Sequence, residues 1–257
     1  MPLANGGDLS DYWKLHNEAP RDPELILWSL QQMLGLAEAI RALHHDLGGD
    51  IHLRHGDLKP GNILYFKGDE GDFLVVADLG VSKVHEQPTG KRDCGTTTRA
   101  TTEAYEAPEV VLEHAKQPRA RTYDIWSLGC VLLEFAIWLF YDMDALDNFK
   151  KNRQNASNKE GSFYITAGVK ADVSTEVSEA IEAVREAARN QSCNALESLV
   201  DLIANKLLVV SLDARFNAQQ LRDTLQKILQ DAEQNPPHLV NVSERPESRP
   251  KIFLPRL

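Results

Sequence analysis

HGDLKPGNIL, residues His55 to Leu64, sets a carboxylate, an amine and a carboxamide at Asp57, Lys59 and Asn62 within one short polar stretch. Two glycines and a proline punctuate it, so it reads as a loop. Upstream, Asp22-Pro23-Glu24 is a helix start, with Asp22 as N-cap and Pro23 where a missing N–H costs nothing. Ile26, Leu30, Met33, Ala37 and Ile40 then recur at helical spacing, predicting a helix to about Leu47, ended by Gly48-Gly49. Downstream, the apolar runs Ile63 to Phe66 and Phe73 to Ala77 flank the turn-like GDEGD, which predicts a small hairpin. The polar stretch is therefore expected between a long helix and a hairpin.

Further out, residues 80–106 are rich in Thr, Gly and charge and lack periodicity, which predicts a long loop of the kind that carries function. From about Thr122 a helix apolar on every side is expected, and such a helix lies inside a soluble protein. Its stretch Ile125 to Tyr141 is shorter than the roughly 20 apolar residues of a membrane span and carries Glu134. Residues 142–173 are polar and read as an irregular, exposed, variable insert. Helical patterns resume at Ser174–Asn190 and Cys193–Leu208, and a last helix starts at Asn217 with Gln220 as its capping-box partner. The expected domain is 1–233, followed by a proline-rich, disordered or extended tail over 234–257.

The chain has 257 residues, 42% of them hydrophobic, enough for one sizeable core. A net charge of -10 argues against nucleic acid and against anionic membrane surfaces as partners. Proteins or small molecules are the expected partners. Cys94, Cys130 and Cys193 are widely spaced and form neither a zinc pattern nor a disulfide framework, which fits a reducing cytoplasmic or nuclear location. His44, His45 and His52 lack Cys or Glu partners at metal spacing and read as structural.

An Asp and an Asn five residues apart occur often by chance; five ordered motifs do not. HGDLKPGN resembles the catalytic loop of serine/threonine protein kinases, and Ala77-Asp78-Leu79-Gly80 is similar to their Asp-Phe-Gly. AYEAPE (Ala104 to Glu109) resembles the end of an activation segment, YDIWSLGCVLLE (Tyr123 to Glu134) the central helix of the large lobe, and LDAR (Leu212 to Arg215) the site of a paired arginine. The resemblance implies a kinase-like fold: a mainly α-helical large lobe with a small β-hairpin at the cleft. It implies ATP and Mg2+ as cofactors and a protein substrate. Asp57 would orient the acceptor hydroxyl, Lys59 would offset charge on the moving phosphoryl group, and Asn62 and Asp78 would ligate magnesium. Thr102 would bond to Asp57 and Lys59. His55 would be a packed core residue, Asp124 would fasten the loop backbone, and Glu109 and Arg215 would form a buried ion pair.

MPLANGGDL resembles the hinge between kinase lobes, with Leu3 and Ala4 facing adenine, Asp8 near the ribose and Leu64 as the floor beneath the base. Met1 falls at the start of that hinge. The reading therefore expects a chain lacking the β-rich N-lobe, with its glycine-rich loop and phosphate-pairing lysine, and not competent alone. A fragment or misplaced start of a full kinase gene is the favoured explanation, with a truncated pseudokinase used as a binding module, or a partner chain that completes the site, as the alternatives. His-Gly-Asp also occurs in small-molecule phosphotransferases, but those lack the Ala-Pro-Glu, the Asp-x-Trp-Ser-x-Gly helix and its arginine. Gly56 replaces the usual Arg of His-Arg-Asp, so Thr96, Thr97, Thr98 and Thr101 have no cation there to receive a phosphate.

Overall fold

The computed structural model describes residues 5–45, 52–69, 71–79, 83–85, 103–112, 121–156, 161–235 and 249–255. A short helix α1 (Leu9–Leu15) opens them, followed by the long α2 (Pro23–His45). Then come β1 (His52–Arg54), β2 (Ile63–Phe66), β3 (Phe73–Val76) and β4 (Lys83–His85). The short α3 (Glu109–Leu112) precedes the central α4 (Thr122–Phe140) and α5 (Met143–Ala156). A second hairpin, β5 (Tyr164–Ala167) and β6 (Lys170–Val173), leads into α6 (Thr175–Asn190), α7 (Asn194–Leu202) and α8 (Ala218–Gln234).

Local chemistry sets these boundaries. The Asp22 side chain accepts the Leu25 N–H at 2.9 Å at the head of α2, and Asn217 and Gln220 exchange the two bonds of a capping box at the head of α8. β2 and β3 pair antiparallel with Ile63 opposite Val76 and Phe66 opposite Phe73. Ile63, Tyr65 and Leu74 face the core, while Leu64, Phe66, Phe73 and Val75 lie on the other, more exposed side.

α4 is the pillar. Every residue from Tyr123 to Phe140 is buried, and although the helix is long and apolar enough to cross a membrane, all of it lies inside the protein. A π-helical turn at Ile203–Leu207 continues α7 and presses on α4 at Gly129, where a Cβ would stand only 2.8 Å from that of Leu207. Glycine is what allows the two backbones to approach.

Three expectations need correction. The described residues within 142–173 are not an irregular exposed insert: they include α5 and the β5–β6 hairpin, with Phe149, Asn152, Arg153 and Phe163 buried. Their charges mislead because Arg153 pairs inside with Glu134 at 3.0 Å and lies over the ring of Phe163 at 3.8 Å. The tail is packed in part. Ile252 and Phe253 are buried in a 3-10 turn, Phe253 lies 4.7 Å from the Tyr141 ring, and the Asn152 amide donates to the Ile252 carbonyl at 2.7 Å. The long loop contributes β4, which pairs antiparallel with β1.

Two buried charges tie the segment between β1 and β2, and α3, to α4. Asp124, fully buried near the start of α4, accepts the backbone N–H groups of His55 and Gly56, each at 2.9 Å, and meets His44 Nε2 at 2.8 Å. Burial alone would raise its pKa. The bond and charge of His44, the Arg54 guanidinium and the Gly56 N–H outweigh that and hold the carboxyl below its ordinary value. Glu109, at the head of α3, is held bidentately by Arg215 at 2.8 and 3.0 Å, and Arg215 also donates to the carbonyls of Val209 and Thr122.

Replacing Arg215 by Met should cost about 3–5 kcal/mol in urea unfolding, because Glu109 is left buried without its counter-charge. A loss below about 1 kcal/mol would mean that the pair is not the brace described. For Asp124 the depressed pKa makes the unfolded chain bind the extra proton. Its stabilisation is thus complete above its unfolded value of about 4 and falls away as pH drops below it. Asp124→Asn should be destabilised at neutral pH and lose less further stability than the wild type as pH falls from about 4 to about 2.

Candidate functional site

The segment between β1 and β2 is held from both sides. Leu58 is 1% exposed and anchors it in the core, and Pro60–Asn62 forms a 3-10 turn with the proline in the first position. Gly56 has φ +83, a left-handed backbone that glycine adopts without strain, and this turn presents two successive N–H groups to Asp124.

On that support, three polar side chains converge. Lys59 Nζ lies 2.8 Å from Asp57 Oδ2, and Asn62 Nδ2 donates to the same oxygen at 3.0 Å and to the Asp57 carbonyl at 2.7 Å. The 3-10 turn Pro60–Asn62 turns the chain so that Asn62 reaches back to Asp57, five residues earlier. Both contacts fall on Oδ2, so the carboxylate is fixed in one orientation. Asp57 is 7% exposed, and the Lys59 side chain is 28% exposed.

Asp78 enters through the hairpin. The Ala77 N–H donates to the Asn62 carbonyl at 2.9 Å, which extends the β2–β3 register by one pair and brings Asp78 to the same open end as Asn62. His55 links the two strands of the site. Its Nε2 lies 2.8 Å from the Ala77 carbonyl, and its Nδ1 accepts the Asp57 N–H at 3.3 Å, a pair of bonds that selects the tautomer protonated at Nε2. Asp78 itself has φ +61, a conformation that costs a non-glycine residue of the order of 1 kcal/mol or more. Such strain concentrates where a side chain must be aimed, and Asp tolerates it better than most residues.

Ahead of α1, the Gly6 N–H donates to the Tyr65 carbonyl and the Tyr65 N–H donates to that of Gly7, so residues 6–8 run alongside β2. A Cβ on Gly6 would strike the Tyr65 ring at 2.2 Å. This pairing sets Asp8 beside Leu64. Asp8 also has a duty that the sequence reading missed: with Asp11 it forms the capping box of α1. Leu3, Ala4, Thr102, Cys94 and Thr96, Thr97, Thr98 and Thr101 lie outside the described residues.

Other supporting residues were not legible in the sequence either. His44, read as structural, is so, but its partner Asp124, 80 residues away, was not foreseeable. Arg54 is 3% exposed, its guanidinium lies 5.3 Å from the Tyr123 ring, and a Cβ on Gly56 would meet it at 3.4 Å. A buried cation therefore sits against the residue that lacks the usual arginine. Tyr105, in the segment before Glu109, donates its hydroxyl to Glu134 Oε2 at 3.0 Å and accepts the Ser127 hydroxyl on its carbonyl at 2.8 Å. Burial and then the Glu134 charge push the Tyr105 hydroxyl well above its ordinary pKa, so it remains a donor.

Among the described residues, no cluster of three His, Cys, Asp or Glu side chains could hold a metal as an all-protein cage. Asn62 and Asp78 instead suit magnesium, which takes one or two protein oxygens and completes its shell with water and phosphate. With Nδ2 of Asn62 committed to Asp57, its Oδ1 is the end suited to a hard cation.

Residues 1–227 match the family model described as "Protein kinase domain". The chain is 30% identical over 131 residues to calcium/calmodulin-dependent protein kinase type 1 of Caenorhabditis briggsae, a match over 51% of this chain and 32% of that protein. It is 37% identical over 98 residues to the ovarian-specific serine/threonine-protein kinase Lok of Drosophila melanogaster (38% of this chain, 18% of Lok), and 35% identical over 113 residues to activin receptor type-1 of Gallus gallus (42% and 22%). The chain thus spans about a fifth to a third of the length of these relatives. The match across residues 1–227, over the fold and loop described above, establishes that this chain belongs to the protein kinase family.

Proposed function

We propose that this chain is the catalytic large lobe of a serine/threonine protein kinase, which moves the γ-phosphoryl group of ATP to a Ser or Thr hydroxyl of a protein substrate. The reading requires a phosphate-covering β-rich lobe to complete the site, joined to this one or supplied by a partner chain. A reducing compartment, cytoplasm or nucleus, fits the two buried free cysteines, Cys130 and Cys193. The observation that carries the proposal is the fixed Asp57 carboxylate, held by Lys59 and Asn62, with Asp78 following the Ala77 that pairs with Asn62.

Phosphoryl transfer depends chiefly on positioning and charge stabilisation. Bound Mg-ATP would supply the reactive phosphate and the charge that neutralises it. Asn62 and Asp78 would hold that metal through their side-chain oxygens. Asp57 orients the acceptor hydroxyl and takes its proton, and the two bonds to Oδ2 keep the carboxylate from rotating away. Lys59, a cation two residues on, offsets negative charge on the transferring group, and a lysine there supports Ser/Thr preference.

In the protein carrying both lobes, Asp57→Ala should lower the rate of ATP-dependent substrate phosphorylation by at least about 10²–10⁴-fold while leaving the melting temperature near that of the wild type. The product should be phosphoserine or phosphothreonine. Unchanged turnover would sink the assignment of Asp57. Removal of magnesium, or Asp78→Ala, should abolish any ATP-induced rise in melting temperature, whereas Asp57→Ala should keep it. Loss of the ATP shift in Asp57→Ala alone would reverse the roles given to these two carboxylates.

A further inference from the structure

At the end of α4 far from Asp124, residues 249–254 of the chain sit in a cleft between α5 and α6. They are held in the way a protein holds a peptide. The amide of the buried Asn152 donates to the carbonyls of Ile252 at 2.7 Å and Leu254 at 3.0 Å, and Asn148 donates to that of Phe253 at 3.2 Å. Two asparagines one turn apart on α5 thus bond to main-chain groups that any extended segment presents. Side chains add selectivity: Phe253 is fully buried against the rings of Tyr141 and Phe149, Ile252 is buried beside it, and Arg249 pairs with Asp142 and stands 3.9 Å from Asp144.

The cleft is built from bonds in which the segment takes no part. The Tyr141 hydroxyl donates to the Ala183 carbonyl at 3.2 Å and ties the end of α4 to α6. Asp142 Oδ1 accepts the Ala145 N–H at 2.8 Å and caps α5, and Ser174 caps α6. Arg153 fastens α5 to α4 through Glu134. The walls therefore stand whether or not residues 249–254 occupy them. A groove of about 490 Å³ continues beside the segment, lined by Glu179, Glu182 and Glu186 of α6 and by Lys251, so an acidic wall meets a basic occupant.

We propose that this cleft is a peptide-binding site, and that a second copy of this chain docks in it through its own residues 249–254 in place of those seated there. An identical segment makes identical bonds, so the exchange sacrifices no contact. The chain from Asn235 to Arg249 reaches at most about 50 Å, which lets the segment extend to the cleft of a neighbouring copy. Tethering holds the segment at an effective concentration on the order of millimolar. Dilute protein therefore keeps its own segment in place, and exchange sets in where copies are concentrated or where a copy's own segment is disabled. Tyr141 lies about 25 Å along α4 from Asp124, so docking leaves the loop around Asp57 uncovered and is read by binding alone.

The test uses the full chain and a fluorescein-labelled peptide of residues 247–257, followed by fluorescence anisotropy. Phe253→Ala and, at a partly exposed position, Arg249→Glu each disable the tethered segment and leave the cleft intact. The peptide should bind either variant at least about tenfold more tightly than the wild type, whose own segment competes. Peptides with alanine in place of Phe253, or citrulline in place of Arg249, should bind at least about tenfold more weakly to the same folded protein. In sedimentation equilibrium at about 100 µM, well below the effective concentration of the tether, Phe253→Ala should form a heterodimer with Asn152→Asp, and neither should self-associate alone. Asn152→Asp keeps its segment but turns a carboxylate on two carbonyls. Equal affinity for the wild type and both segment variants, or undiminished binding of the alanine peptide, would overturn the binding site. Peptide binding without a heterodimer would overturn exchange between copies and assign the cleft to a segment of another protein. If Phe253→Ala does not melt cooperatively, Arg249→Glu takes its place; if Asn152→Asp does not, Asp144→Lys, at an exposed residue beside Arg249, replaces it.

Discussion

The carboxylate of Asp124 is the constraint on which the rest of the site depends. A fully buried anion is tolerated only when its oxygens are satisfied, and here the donors are two backbone N–H groups from the loop and the ring of His44 from α2. The requirement acts both ways. The loop supplies donors that lower the carboxyl pKa, and the charge fixes the loop at two adjacent residues, immediately before Asp57. Gly56 makes this possible because its positive φ lets consecutive N–H groups point at one carboxylate.

α4 repeats the device one level deeper. Glu134 lies ten residues beyond Asp124, about 15 Å along the helix. It receives Arg153 from α5 and the hydroxyl of Tyr105 from the segment leading to α3. An otherwise apolar rod therefore carries two buried anions, and each recruits a polar segment that would not pack on hydrophobic contact alone. The Asp57 loop and the segment before Glu109 are referenced to the same rigid element. Within the proposed mechanism, that common support keeps the proton acceptor in register with the strand end that aims Asp78.

Local signals were readable from the sequence. The apolar periodicity of α2, the β2–β3 hairpin around its turn and the capping box of α8 each arise from residues close together in the chain. What escaped depends on partners far along the chain. α5 reads as polar because Arg153 and Asn152 are charged or polar, yet their partners, Glu134 and the backbone around Ile252, lie outside any local window. β1 and β4 are three residues each, too short to alternate visibly, and the apolar pair Ile252-Phe253 is hidden among prolines. The same limit concealed the partner of His44, Asp124, which lies 80 residues away.

The central claim, that a buried Asp124 anion holds the loop before Asp57, is tested most directly by amide hydrogen exchange at His55 and Gly56. Both N–H groups donate to Asp124, so both should exchange only through opening of the α4 core, with protection approaching that of the helix itself. Exchange at the rate of an exposed loop, while α4 stays protected, would contradict the account.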